Sequence, residues 1–122
     1  MPDDSGQGRR RIRSIDLRAT AGARRATLPQ HPQPQLATLA TAAPEGDGWL
    51  HEVKLDGYRL MARIAPGALR LFSRNGKDWT ARFASLAAAL AQLPLRSALL
   101  DGEAVHLRAD GHTSFSDLKD DL

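Results

Sequence analysis

The stretch HEVKLDGYR, residues 51–59, determines how this chain is interpreted. Residues 49–55 fit a period of two, which is typical of a half-buried strand: Trp49, His51, Val53 and Leu55 lie on one face, and Leu50, Glu52 and Lys54 on the other. Asp56-Gly57 interrupts the alternation and predicts a turn. Alternation resumes over residues 58–65, and we therefore predict a second strand that pairs antiparallel with the first.

The chain beyond this strand pair shows further strand patterns and one helix pattern. Pro66-Gly67 predicts a turn, and residues 69–73 predict a third strand. Thr80 is a suitable N-cap for an alanine-rich helix over residues 80–93, in which large apolar residues recur at helical spacing. Residues 98–107 predict another strand. The predicted fold class is therefore α+β, with a small, partial antiparallel sheet and one clear helix.

The beginning of the chain differs from the remainder in composition. Residues 1–28 carry seven arginines against three aspartates, and the other residues carry ten basic and eleven acidic side chains. We predict that residues 1–28 form a disordered Arg-rich arm, which either attracts polyanions in a salt-dependent manner or is simply a soluble leader. Residues 29–48 contain four prolines and predict a linker. Residues 49–122 then form the folded part.

Length and composition exclude several classes of protein. At 122 residues, the chain is long enough for one domain at most. The absence of cysteine excludes disulfides, cysteine-ligated zinc and thiol catalysis. No stretch approaches the roughly 18 uninterrupted apolar residues that cross a bilayer, so we expect a soluble, cytoplasmic protein without a membrane partner.

Lys54 is the candidate nucleophile of the first motif. Glu52 shares its predicted strand face, and Arg59 follows the predicted turn. A protonated lysine is a poor nucleophile, but a nearby cation or desolvation favours the neutral amine. Arg59 can supply that cation and bind phosphate at the same time. An ordinary hairpin turn flanked by surface charges fits the same residues.

Two more short motifs carry charged side chains, one at a predicted strand end and the other on a predicted strand face. In SRNGKDWT, Arg74 lies beside a glycine that permits a close backbone approach, which suits a sugar or a phosphate, although a charged turn has the same pattern. In LLDGE, Asp101 and Glu103 share one strand face, where carboxylate oxygens suit Mg²⁺ or a ribose hydroxyl. The alternative for LLDGE is a glycine bulge with a salt-bridged acid.

The ordered set KLDGYR, SRNGKDWT, a helix and LLDGE resembles the adenylation domain of ATP-dependent DNA ligases. The resemblance is closest to the ligase module of bacterial ligase D, which serves nonhomologous end joining in DNA repair and recombination. It covers about residues 24–122, and ATLPQHPQPQLATL resembles the linker that enters this module. The form K-x-D-G-x-R is the specific signature of covalent nucleotidyltransferases, so the resemblance implies their antiparallel fold.

The resemblance also implies a reaction, its cofactors and the residues that carry it. Lys54 would attack the α-phosphate of ATP and hold AMP through a phosphoramide bond. The AMP would pass to the 5′-phosphate of nicked or broken double-stranded DNA before the strand is sealed. Glu52 would lie beside adenine, Arg59 and Arg74 would contact sugar and phosphates, and Glu103 would bind ribose or the metal, Mg²⁺ or Mn²⁺.

The sequence departs from the family pattern after the DGE strand. Residues 104–122 contain neither the family's adenine-stacking aromatic residue nor its E-G-V-x-x-K and K-x-K elements. We therefore expect a truncated adenylation domain that is unable to seal nicks by itself and is either derived from a ligase or complemented by a second polypeptide that supplies the missing motifs. The alternatives are a catalytically incomplete DNA- or partner-binding remnant and an inactive product of truncation.

Overall fold

Three strands and two short α-helices form the regular structure of residues 16–122, the part of the chain that the computed structural model describes. None of the helices in this part is long and apolar enough to cross a bilayer. Residues 1–15 of the predicted disordered arm lie outside the described residues. A 3₁₀ turn follows at Leu17–Ala19. The elements in chain order are β1 Tyr58–Ala65, β2 Ala68–Ser73, α1 Ala84–Leu90, β3 Ala98–Ala104 and α2 Phe115–Asp120.

The sheet has β1 at its centre, with β2 on one side and β3 on the other. Both neighbours run antiparallel to β1. The sequence YRLMARIA suits this position, because it supplies buried apolar side chains to both faces, with Leu60 and Ala62 on one face and Met61 on the other. Gly67 adopts a φ of 70° in the tight connection from β1 to β2, which a side chain would disfavour. The predicted strands over 58–65 and 69–73 are confirmed.

Antiparallel pairing places the start of β1 beside the ends of both neighbours. Leu60 pairs with Ser73, the last residue of β2. Arg59 pairs with Glu103, one residue before β3 ends. The segments KLDGYR, SRNGK and DGE are far apart in the sequence but meet at this one end of the sheet.

The strand predicted over residues 49–55 is wrong. Both edges of β1 are already occupied by β2 and β3, so this segment cannot pair with β1 as predicted. It is irregular, and the side chains of Leu50 and Val53 are 96% and 87% exposed. The alternation in this segment therefore does not reflect a buried strand face.

Helix α1 spans only Ala84–Leu90, and the predicted range of 80–93 is too long. Thr80 does not cap the helix, because its side chain binds β2 instead. The Thr80 hydroxyl accepts a hydrogen bond from the backbone N–H of Leu71 at 3.0 Å and donates to Asp78 Oδ1 at 2.6 Å. The last strand ends at Ala104 rather than residue 107, because Leu107 forms an isolated bridge with Thr113 in the loop before α2.

One face of the sheet is covered by the two helices. Its buried side chains form a single apolar cluster that includes the strand residues, the residue before α1 and one residue of α2. Leu71 is fully buried at the centre of this cluster. The members are Leu60, Ala62, Leu71, Phe83 and Leu118.

The opposite face of the sheet is crossed by residues 29–35, which we call the strap. Arg63 Nε donates to the carbonyl of Pro29, and Arg59 Nη1 donates to that of Gln35, each at 2.8 Å. The ring of His31 meets Phe72 edge-on at 6.5 Å. The Pro-rich segment thus lacks regular structure, as its prolines predict, but it packs on the sheet.

Helix α2 begins after Ser114, whose side chain caps it. The Ser114 hydroxyl accepts from the backbone N–H of Asp117 at 3.3 Å. Arg108 Nε donates to the Asp117 carboxylate at 2.6 Å, and Leu118 is buried behind it. The hydrogen bonds from Arg108, and secondarily from Ser114, lower the pKa of Asp117 to about 2.

We predict that Asp117→Asn lowers the urea midpoint of unfolding at neutral pH. A carboxyl group with a lowered folded-state pKa stabilises the fold above its ordinary pKa of 3.8, and this contribution is lost as the pH falls toward about 2. Wild type and variant should therefore differ at pH 7 and converge at acid pH. Asp120→Asn, on the same helix, is the control. A difference that persists unchanged at pH 2 would contradict the assignment.

We also predict that Gly57→Ala destabilises the fold, because Gly57 packs directly against the end of β3. A Cβ there would lie 2.0 Å from the carbonyl oxygen of Ala104 and 2.9 Å from Val105 Cγ1. Relief of that overlap requires a backbone shift, which should cost about 1 to 3 kcal/mol in urea denaturation. Gly48→Ala, with no atom within 4 Å of the added Cβ, should leave the free energy of unfolding nearly unchanged. Equal effects of the two substitutions would refute the close contact.

Candidate active site

A cavity of about 620 Å³ lies at the end of the sheet where the three motif segments meet. The first motif borders it through the loop before β1, the second through the loop after β2, and the third through the end of β3. The charged side chains on its walls are Lys54, Arg59, Arg74, Lys77 and Glu103. Four cations and one carboxylate give the cavity a positive character that suits a polyphosphate.

Lys54 reaches the cavity from the irregular segment that precedes β1. Two contacts fix the end of this segment. The backbone N–H of Asp56 donates to the Thr113 hydroxyl at 3.2 Å, and Gly57 lies against the carbonyl of Ala104. Lys54 therefore lies two residues before a backbone segment that these contacts hold in place. Its own side chain is exposed, and it is not part of a strand.

The loop after β2 holds two of the cations. The backbone N–H of Ser73 donates to the carbonyl of Lys77 at 2.9 Å, and the N–H of Lys77 donates to the Ser73 hydroxyl at 3.1 Å. Gly76 takes a φ of 76°, which closes the turn. Arg74 and Lys77 are exposed side chains on this tight loop and both line the cavity.

Arg59 is held in place by protein groups on two sides. Its Nε and Nη2 donate to the two carboxylate oxygens of Asp101 at 3.0 and 2.6 Å, and its Nη1 donates to the carbonyl of Gln35. The bond with Asp101 raises the pKa of Arg59 and lowers the pKa of Asp101. Three of the guanidinium donors are thus already used, which leaves fewer for a phosphate than the sequence suggests.

The carboxylates of β3 have different surroundings. Asp101 is paired with Arg59, in line with the salt-bridged acid considered for LLDGE. Glu103 lines the cavity opposite Arg59 and is exposed. Among residues 16–122, no group of three or more His, Cys, Asp or Glu side chains is arranged to hold a metal ion. Of the residues that the structure describes, Glu103 is the one carboxylate on the cavity wall.

Aromatic side chains support the cavity from the helix face. Tyr58 and Trp79, which line the cavity, meet edge-on at 5.2 Å. Trp79 also stacks on Phe83 at 5.9 Å, and the Arg82 guanidinium lies 4.9 Å from the Trp79 ring. Since Phe83 is buried, the tryptophan is anchored to the core.

Four of the five site residues predicted from the sequence lie around this cavity. They are Lys54, Arg59, Arg74 and Glu103. The fifth, Glu52, is exposed and is not among the residues that line it. The roles of all five stay predictions.

Sequence reasoning missed Lys77 and Leu36 as cavity residues. Lys77 had a signal, because it belongs to the motif SRNGKDWT. The sequence carries no signal for Leu36 as a cavity residue, because its position depends on how the strap crosses the sheet.

The family model for the ATP dependent DNA ligase domain matches residues 34–121. The multifunctional non-homologous end joining protein LigD of Pseudomonas aeruginosa is 48% identical over 92 residues, which are 75% of this chain and 11% of that protein. LigD of Mycobacterium tuberculosis, a multifunctional non-homologous end joining DNA repair protein, is 44% identical over 87 residues, or 70% of this chain and 12% of that protein. The chain thus spans only a small part of these relatives.

Solved structures share the fold. The ligase domain of M. tuberculosis LigD superposes with a TM-score of 0.51 at 43% identity, over 57% of this chain and 23% of that one. A mycobacterial DNA ligase D in complex with ATP and MES gives a TM-score of 0.50 at 44% identity, over 56% and 23% of the two chains. The α+β fold and the ligase resemblance predicted from the motifs are confirmed. This chain belongs to the ATP-dependent DNA ligase domain family, and it corresponds to part of the adenylation domain of LigD-type ligases.

Proposed function

We propose that the cavity binds ATP and that Lys54 accepts AMP from it, which is the first step in sealing a DNA strand break. The observation that carries this proposal is the meeting of Lys54 with Arg59, Arg74 and Glu103 at one end of the sheet. A cavity of about 620 Å³ lies within the usual range for a ligand of this size. One relative of the same fold is known in complex with ATP, which supports the choice of nucleotide.

The charges of the cavity suit phosphoryl transfer. This chemistry depends mainly on positioning and on the neutralisation of negative charge. Arg74 and Lys77 lie on one tight loop, so both can contact phosphate oxygens without further ordering of the loop backbone. Arg59 faces the same space from β1, with the guanidinium donors that Asp101 and Gln35 leave free.

In the proposed step, Lys54 uses its neutral amine as the nucleophile. The Nζ lone pair forms a bond to the α-phosphorus, the bond from that phosphorus to the bridging oxygen breaks, and pyrophosphate leaves with the electron pair. The amine loses its proton to solvent, which the exposure of Lys54 allows. AMP is then attached to Lys54 through a phosphoramide bond.

The residues present fit a divalent cation that is shared with the nucleotide. Mg²⁺ is commonly bound by one or two carboxylates together with substrate phosphates. Glu103 is the carboxylate on the cavity wall, whereas both oxygens of Asp101 are engaged by Arg59. We propose that Glu103 holds Mg²⁺ or Mn²⁺, which neutralises phosphate charge when it is bound.

The second substrate proposed is nicked or broken double-stranded DNA, the substrate class of DNA ligases. The two LigD relatives are named for non-homologous end joining, and both come from bacteria, which supports a role in DNA repair in the cytoplasm. Because the chain spans 23% of the solved ligase domains, we propose that residues from a further segment or a second polypeptide complete the site for strand sealing.

The direct test is the intact mass of the protein after incubation with ATP and Mg²⁺. The chain has only three lysines, so each can be replaced in turn. We expect wild type and Lys119→Ala to gain the mass of one AMP, and Lys54→Ala to gain none. The rate should be low, since even one missing phosphate donor costs about a hundredfold.

Two results would contradict the proposal. The first is the absence of any adduct on wild-type protein whose circular dichroism shows a folded chain. The second is an adduct that persists in Lys54→Ala.

A further inference from the structure

The face of the sheet opposite the helices has its own buried residues, which the helices cannot cover. Met61 is 2% exposed and Phe72 is 6% exposed, and the two pair directly across β1 and β2. Neither belongs to the apolar cluster under the helices. Their burial depends on the strap, in which Pro32 is itself buried and His31 meets Phe72.

Two arginines attach the strap to the sheet on either side of Met61. Arg59 and Arg63 precede and follow Met61 by two residues, so all three side chains point to the same face of β1. Arg63 binds the carbonyl of Pro29 and Arg59 binds that of Gln35. The strap is thus attached at both of its ends.

Asp101 determines the orientation of the arginine at the cavity end. Its two oxygens accept from Nε and Nη2 of Arg59, which fixes the plane of the guanidinium. Nη1 is then directed at the carbonyl of Gln35. Asp101 does not itself line the cavity, and its side-chain contact with a residue that does is the one with Arg59.

The attachment at Gln35 fixes the two residues that follow it. Leu36 and Ala37 line the cavity and are the apolar residues that the strap side contributes to its wall. Leu36 is 57% exposed, whereas Leu39, three residues later, is 97% exposed and lies off the cavity. The wall at Leu36 and Ala37 therefore depends on a hydrogen bond made by Arg59.

We infer that the strap is not a linker but holds Leu36 and Ala37 in place as a structural wall of the ligand cavity, and that Asp101 is a positioning residue that fixes this wall through Arg59. Leu36 and Ala37 give the cavity an apolar surface suited to the base or ribose of a nucleotide. Under this arrangement Arg59 connects the strap, β3 and the cavity. The identity of the ligand rests on the proposed nucleotide function. The attachment of the strap to the sheet does not depend on that function.

The attachment is tested by thiol labelling, because the chain contains no cysteine. Met61→Cys places a reporter under the strap, and Ala62→Cys places one under the helices, with both sites buried on opposite faces of β1. Asp101→Asn, added to each, should raise the rate of maleimide labelling at position 61 by roughly fivefold and leave position 62 unchanged. An equal rise at both positions, or no rise at position 61, would overturn the attachment.

The wall is tested by calorimetric titration with the α,β-methylene analogue of ATP. Leu36→Ala should weaken binding by about fivefold, and the matched Leu39→Ala should bind like wild type. Binding that is unaffected by Leu36→Ala would overturn the wall while the proposed function stands. Failure of the wild type to bind would instead overturn the proposed function and the wall together, and the labelling rates would still decide the attachment of the strap.

Discussion

The antiparallel pairing of β1 with a neighbour on each side is the constraint on which the rest of this structure depends. It brings the beginning of β1 beside the ends of β2 and β3, so segments from three distant parts of the sequence meet. A shift of one residue would exchange the faces of every side chain in the shifted strand. Arg59 and Glu103 share one end of the sheet because the register pairs them.

The central position of β1 also means that two separate layers must cover it. The helices cover the face that carries Leu60 and Ala62, and the strap covers the face that carries Met61. The second layer has no regular structure, so its position depends on arginine hydrogen bonds and on the packing of a few side chains. Because the strap leads directly into Leu36 and Ala37 on the cavity wall, the segment that covers this face of the sheet also positions part of the ligand site.

The local pattern of the sequence predicted the elements whose partners are close in the chain. The hairpin of β1 and β2, for example, needs only a two-residue turn. The strand over 49–55 failed because alternation cannot show that both edges of β1 are taken. The helix over 80–93 was too long because Thr80, a good cap by type, is bound to β2. Lys54, Arg59, Arg74 and Glu103 were recognisable from their motifs, whereas Leu36 depends on a contact across 24 residues, between Gln35 and Arg59.

The central claim is that these three motif segments and the strap form one nucleotide site, and an NMR titration of the ¹⁵N-labelled chain with ATP tests it most directly. The account predicts that the backbone amide signals of Gly57, Arg59, Arg74, Lys77 and Glu103 shift together along one binding curve, while those of α1 stay in place. Shifts confined to the arginines at residues 18–25, or separate binding curves for the three segments, would contradict it.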